Sequence, residues 1–202
     1  MNIENLGIPF DLGLHGQVNL IRFVKNAPIL FLIDENHNNL NNCIDHNILN
    51  ANILIERANV QIIGVESLAG GKDWDRETDN YFKDDSNDKW YQKQVKEFKS
   101  TTPKFSDSIR LNYSNLVYGV ESLGMHDKLF EESGTEGQRH WLHIERSKHF
   151  VQTLFDNYIK HGMDGNLILN CGSEHNSDIE EWVLDNSISG IYSSYVRINT
   201  IE

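Results

Sequence analysis

The sequence predicts an α/β fold, a mostly parallel central sheet with helices on both faces. Two observations carry this. Near-continuous apolar runs, such as Ala27-Pro28-Ile29-Leu30-Phe31-Leu32-Ile33, read as strands buried on both sides. Between them lie longer stretches whose apolar residues recur at helical spacing, and alternating strands and helices give a parallel sheet between helix layers.

The first strand is expected over 27–34. Leu40, Ile44, Ile48, Leu49 and Ile55 then recur at roughly helical spacing, which predicts a helix over 39–58. Val60-Gln61-Ile62-Ile63-Gly64-Val65 is the second buried strand, and strand, helix and strand make a βαβ unit. Residues 69–105 are polar, charged and dotted with aromatics. They read as an insertion, partly helical over 88–99, of the kind that forms a lid, a substrate wall or a solvated excursion.

A third strand covers 116–120. A long helix over 136–161 begins at a capping box of Thr135 and Gln138 and ends at Lys160-His161-Gly162. Its apolar stripe is read as Trp141, Ile144, Val151, Leu154, Phe155 and Tyr158. Strand 166–171, a short helix over 177–185 and a final strand over 189–198 complete one expected domain, 1–202.

Composition narrows the function classes. The chain has 202 residues, of which 39% are hydrophobic and 24% charged, an ordinary globular balance. A formal net charge of -12 argues against a nucleic-acid backbone binder, which needs a basic stripe. Cys43 and Cys171 follow no zinc-ribbon or CxxC spacing and are expected as reduced, buried thiols. No apolar run reaches 18 residues and the N-terminus lacks a signal-peptide pattern, so a cytoplasmic protein without a membrane span is expected. Secretion by a non-classical route stays open. No GxGxxG, GxxxxGK[ST] or GxSxG motif is present, which disfavours nucleotide binding and serine hydrolysis.

The chemistry concentrates at strand ends. Glu35 and His37 follow the first strand, Glu66 the second, Glu121 the third and His175 the fourth. Ligands of parallel sheets bind outside the carboxyl ends of the strands. A lone histidine there is more often a cap, but four strand ends each bearing a titratable group point to a site. Arg146 is the candidate cation, since Arg139, His143 and Arg146 share a helix face beside the apolar stripe. His126 lies near the same rim as Glu121, and both are candidates for substrate contact. His15, His46, His140, His149 and His161 read as surface, packing or capping residues.

Two schemes fit these groups, and both stay open. In one, His37, Glu66 and His175 hold a divalent metal ion that activates water. In the other, His37 is a general base oriented by Glu66 or Glu35, and His175 with Arg146 stabilises the oxyanion. There is also an internal echo: Gly-Val-Glu-Ser-Leu occurs within 62–70 and within 117–125, and an apolar strand followed by an acidic residue and His-Asn occurs at 30–39 and at 168–177. Such an order suits a pseudo-symmetric sheet.

Taken in order, these motifs resemble the superfamily that joins erythromycin esterases, ChaN-like proteins and the TraB/Tiki proteins. The corresponding segments are Asp34-Glu35-Asn36-His37, Glu66 in Gly-Val-Glu-Ser, Arg146 in a long helix, and Gly172-Ser173-Glu174-His175, which matches the family's GxxH in full. The likeness spans about residues 28–198. Asp34 replaces the family's usual glycine, and the chain is short for the family.

The resemblance implies an EreA/ChaN-like fold. It also implies one of three activities: a hydrolase of ester bonds, a metal-dependent peptidase, or haem binding. The leading expectation is a hydrolase acting on a small-molecule or peptide substrate. The alternatives are a haem- or metal-binding module and a toxin or effector accessory domain acting through the insertion.

Overall fold

A computed structural model describes residues 12–35, 40–69, 109, 113, 116–122, 125, 128 and 135–200, the side chains of 35, 40–44 and 67–69 excepted. The elements run β1 (Gln17–Arg22), β2 (Ile29–Glu35), α1 (Leu40–Arg57), β3 (Val60–Ala69), β4 (Val117–Glu121), α2 (Glu136–Lys160), β5 (Asn166–Gly172), a 3-10 turn (Ser173–His175), α3 (Asn176–Asp185) and β6 (Ser194–Asn199). The six strands form one mixed sheet in the order β1-β6-β2-β5-β3-β4. Five are parallel, and β1 alone runs antiparallel, against β6. The expected α/β class with a mostly parallel sheet is therefore observed.

Side-chain alternation along the strands divides the core in two. Phe31, Ile33, Ile63, Val65, Ile168 and Val196 meet Ala51 and Leu54 of α1 on one face. Leu30, Leu32, Ile62, Leu167, Leu169 and Cys171 meet Phe150, Leu154 and Phe155 of α2, with Ile179 and Val183 of α3, on the other. Cys171 is fully buried. Gly64 is required by the second face. A Cβ built there would lie 2.9 Å from Val120 and 3.2 Å from Leu154, so glycine lets α2 pack tightly on β3.

The ends of α2 follow the sequence signals. Thr135 Oγ1 accepts from the Gln138 amide at 3.3 Å, and Gln138 Oε1 accepts from the Thr135 amide at 2.9 Å, a complete capping box. His161 caps the other end, donating its amide to the Asn157 carbonyl at 3.0 Å. Among the described residues, no helix is long and apolar enough to cross a membrane.

Several boundaries differ from expectation for local reasons. The final strand starts at 194, not 189, because Ser189 and Gly190 adopt left-handed φ values of 50° and 83° and close a tight turn between Ile188 and Ile191. Trp141 and Leu49, expected on apolar stripes, are exposed, and Arg146, Ser147, Ala51 and Leu54 occupy the buried faces instead. β1 is an edge strand with polar and apolar residues mixed, a weak signal in a short stretch. Of the insertion at 69–105, all but Ala69 lies outside the described residues, as does its expected helix at 88–99.

Candidate functional site

The C-terminal ends of three adjacent strands, β5, β3 and β4, build the site, and the N-terminal half of α2 covers it. Glu66 follows Ile62 and Gly64 in β3 at the same side-chain parity, so it belongs to the face that α2 covers. The buried stripe of α2 is apolar at Phe150, Val151, Leu154 and Phe155, and turns polar at Arg146 and Ser147. These two residues stand where the strands end.

Arg146 is 6% exposed and spans two carboxylates. Its Nε and Nη2 donate to Glu121 Oε1 and Oε2 at 3.2 and 2.6 Å, and Nη2 also donates to Glu66 Oε1 at 3.1 Å. The second oxygen of Glu66 accepts the Gly172 amide at 2.7 Å, which ties β3 to the turn after β5. Glu66 Oε1 lies 3.3 Å from His175 Nε2.

The His175 ring is fully buried, and its Nδ1 is 2.8 Å from Ser147 Oγ. Ser147 in turn reaches Asp178 Oδ2 at 3.1 Å, and the same oxygen meets His143 Nδ1 at 3.1 Å. Phe150 forms the floor, its ring edge-on to His175 at 4.9 Å and 5.4 Å from the Arg146 guanidinium carbon. His143 stacks on His175, the ring centroids 4.2 Å apart and the planes 2° from parallel. One polar chain runs from Glu121 through Arg146 to Glu66 and another from His175 through Ser147 and Asp178 to His143, and the two meet where Glu66 Oε1 and His175 Nε2 stand 3.3 Å apart.

The electrostatics separate the two glutamates that share one arginine. Burial works to raise the Glu66 pKa, but the His175 imidazole, the Arg146 charge and the Gly172 amide outweigh it and hold the group far below the usual carboxylate range. Burial dominates at Glu121 and, with repulsion from Glu66, pushes it up to about 7 against the pull of Arg146. His143 is raised by Glu174 and Asp178 against the opposing effect of burial. Glu174 is lowered, chiefly by His143.

Four of the sequence-predicted residues, Glu66, Glu121, Arg146 and His175, come together here. Glu35 ends β2, its backbone in register with Gly172, and its side chain is not described. His37 and His126 lie outside the described residues. Asp34, which stands where the resembled family has glycine, is fully buried, with one oxygen 3.1 Å from Arg197 Nε. Burial raises its pKa despite that arginine.

Ser147, Asp178 and the participation of His143 and Glu174 were not foreseen as site chemistry. A signal existed. Ser147 is next to Arg146 and one turn from His143, and Asp178 lies three residues after His175 on a helical path. Among the described residues, His143, Glu174 and His175 also form a group whose ligand-type atoms all lie within 4.8 Å of one another.

In comparisons with protein families, curated proteins and solved structures, the chain matches none.

Proposed function

We propose that the chain is a hydrolase that activates water with the His/Glu constellation at the sheet's C-terminal edge to cleave an ester or amide bond in a small-molecule or peptide substrate. The observation that carries this is the fully buried His175 imidazole, gripped at Nδ1 by Ser147 and faced at Nε2 by the ionised Glu66. With Nδ1–H donated to Ser147, Nε2 is the ring atom that takes a proton from water. Glu66, kept ionised, stabilises the imidazolium that results. Arg146 and Glu121 are positioning residues: Glu121 holds the guanidinium by two bonds, and the guanidinium holds Glu66.

The order of these residues along the chain supports membership of the erythromycin esterase, ChaN-like and TraB/Tiki superfamily, whose motifs the sequence resembles. In that reading the segment Asp34-Glu35-Asn36-His37 is the counterpart of the family's first GxxH motif. An internal pseudo-repeat is supported by like strands being neighbours: β2 beside β5, and β3 beside β4.

The test is turnover of a panel of chromogenic esters and fluorogenic peptide amides by the wild-type chain and by His175→Ala. The expected result is turnover of at least one ester or amide, lost by at least about 100-fold in a variant that still melts cooperatively. Equal rates in the two proteins, or no turnover by the wild type, would overturn the proposal.

A further inference from the structure

The geometry points to a divalent metal site of the chain's own, made of His143 Nε2, His175 Nε2 and a Glu174 carboxylate oxygen. This set differs from the one expected from the sequence, His37, Glu66 and His175. Glu66 is a poor ligand where it stands, since its two oxygens already accept from Arg146 and from the Gly172 amide. His143 Nε2 and Glu174 Oε1 face each other at 3.9 Å, an attraction that an ion placed between them would replace.

Three observations support the set. The Nδ1 atoms of both rings are taken by outer partners, His143 by Asp178 at 3.1 Å and His175 by Ser147 at 2.8 Å, which leaves both Nε2 atoms for an ion. Metal-bound histidines are oriented in this way, through the ring nitrogen that does not ligate. Second, His175 Nε2 is buried and, among the described residues, has no hydrogen-bond partner; Glu66 Oε1 is 3.3 Å away but off the line a hydrogen bond needs. Third, Glu174 Oε1 lies 3.9 Å from Nε2 of each histidine. Donors sharing one tetrahedral ion at bonds of about 2.1 Å sit about 3.4 Å apart, so the two histidine–glutamate pairs each need a contraction of about half an ångström.

Two histidines and a glutamate are a ligand set that zinc accepts in catalytic sites, with a fourth position left for water. The two ring planes are 2° from parallel, so one ion cannot lie in both, and binding must tilt His143 away from His175. His143 is the ring with freedom to do so, its side chain 25% exposed where His175 is fully buried. Glu174 is 62% exposed and swings into place without disturbing the core. The ion and the general base of the proposed function would use the same lone pair, on His175 Nε2, so the inference does not rest on that proposal: a chain that binds the ion and cleaves nothing satisfies it.

The experiment is calorimetric titration of the chelator-treated, dialysed protein with zinc chloride, together with the visible spectrum of its cobalt(II) form. The expected result is one ion per chain and the absorption of four-coordinate cobalt. His143→Ala and Glu174→Gln, both on exposed or half-buried positions, should each weaken binding by at least about 10-fold, and Asp178→Asn by about 10- to 100-fold through the loss of His143 orientation. No binding would overturn the proposal, and so would one-to-one binding that both ligand variants leave unchanged. Ester or amide turnover that persists in a chain shown to bind no ion would sink the metal site and leave the hydrolase standing. Tight, variant-sensitive binding without turnover would do the reverse.

Discussion

Replacing Arg146 by Met removes a cation that the two buried glutamates share. Met keeps the aliphatic bulk over Phe150 and discards the charge. In the wild type the guanidinium makes three hydrogen bonds, at 3.2, 2.6 and 3.1 Å, to carboxylates whose side chains are 8% and 14% exposed. Removing one partner of a buried ion pair costs about 3–5 kcal/mol, because the other charge is left unpaired. For a domain of this size that is a fall in melting temperature of about 6–20 °C.

The loss has a pH signature. Without Arg146 both carboxyls lose the interaction that favours their charged forms, so burial raises both pKa values. A raised carboxyl stabilises the fold while protonated and loses that contribution as pH rises. The deficit of Arg146→Met should therefore be smallest near pH 5 and largest near pH 8. Urea unfolding at both pH values measures it, and Glu121→Gln added to Arg146→Met should recover part of the loss. A deficit under about 1 kcal/mol at pH 8, or one equal at the two pH values, would refute the reasoning.

The remaining predictions concern single contacts. In the wild type, Glu121 is pushed up to about 7 from an ordinary 4.5, so its share of stability is full below about pH 4.5 and is lost as pH rises to about 7. Glu121→Gln should remove a decline of about 3 kcal/mol across that window, and an unchanged slope in urea titrations would count against the raised value. Gly64→Ala should cost about 1–3 kcal/mol by crowding Val120 and Leu154, read from the denaturation midpoint. Gly16→Ala should cost more, because its φ is +93° and a Cβ would meet the Asn199 carbonyl; faster amide exchange confined to β1 and β6 would locate the damage. Ser147→Ala should cost about 1–3 kcal/mol by orphaning His175 Nδ1, and should lower kcat more than it raises KM.

The strands that place the site were legible because burial on both faces leaves an unbroken apolar run, as in Leu30 to Ile33 and Leu167 to Leu169. The α2 boundaries were legible because Thr135, Gln138 and Gly162 are local signals whose chemistry acts within one turn. Other features depend on the tertiary arrangement. Trp141 fits a helical stripe by spacing but is 59% exposed, because which side of α2 is buried is set by the sheet it packs on. Ser189 takes a left-handed conformation that its type does not advertise, and so shortens β6.

At the site, residues near the C-terminal ends of buried strands could be named one by one, as Glu66, Glu121 and His175 were, although Glu66 and Glu121 lie within β3 and β4 rather than beyond them. Their partners could not. Which side chain Arg146 pairs with depends on β3 and β4 being neighbours in space, and that order is not written along the chain. Ser147 and Asp178 look like ordinary polar helix residues until α2 and α3 are packed side by side, when both converge on His175 and His143.

The most direct test of the central claim is a double-mutant cycle in kcat between Glu66→Gln and His175→Ala, on whichever ester or amide the wild type turns over. Residues that act as one unit lose activity non-additively. The account predicts that the double variant is no slower than His175→Ala alone, since Glu66 acts only through that imidazole. Losses that simply multiply, or a Glu66→Gln variant as fast as the wild type, would contradict it.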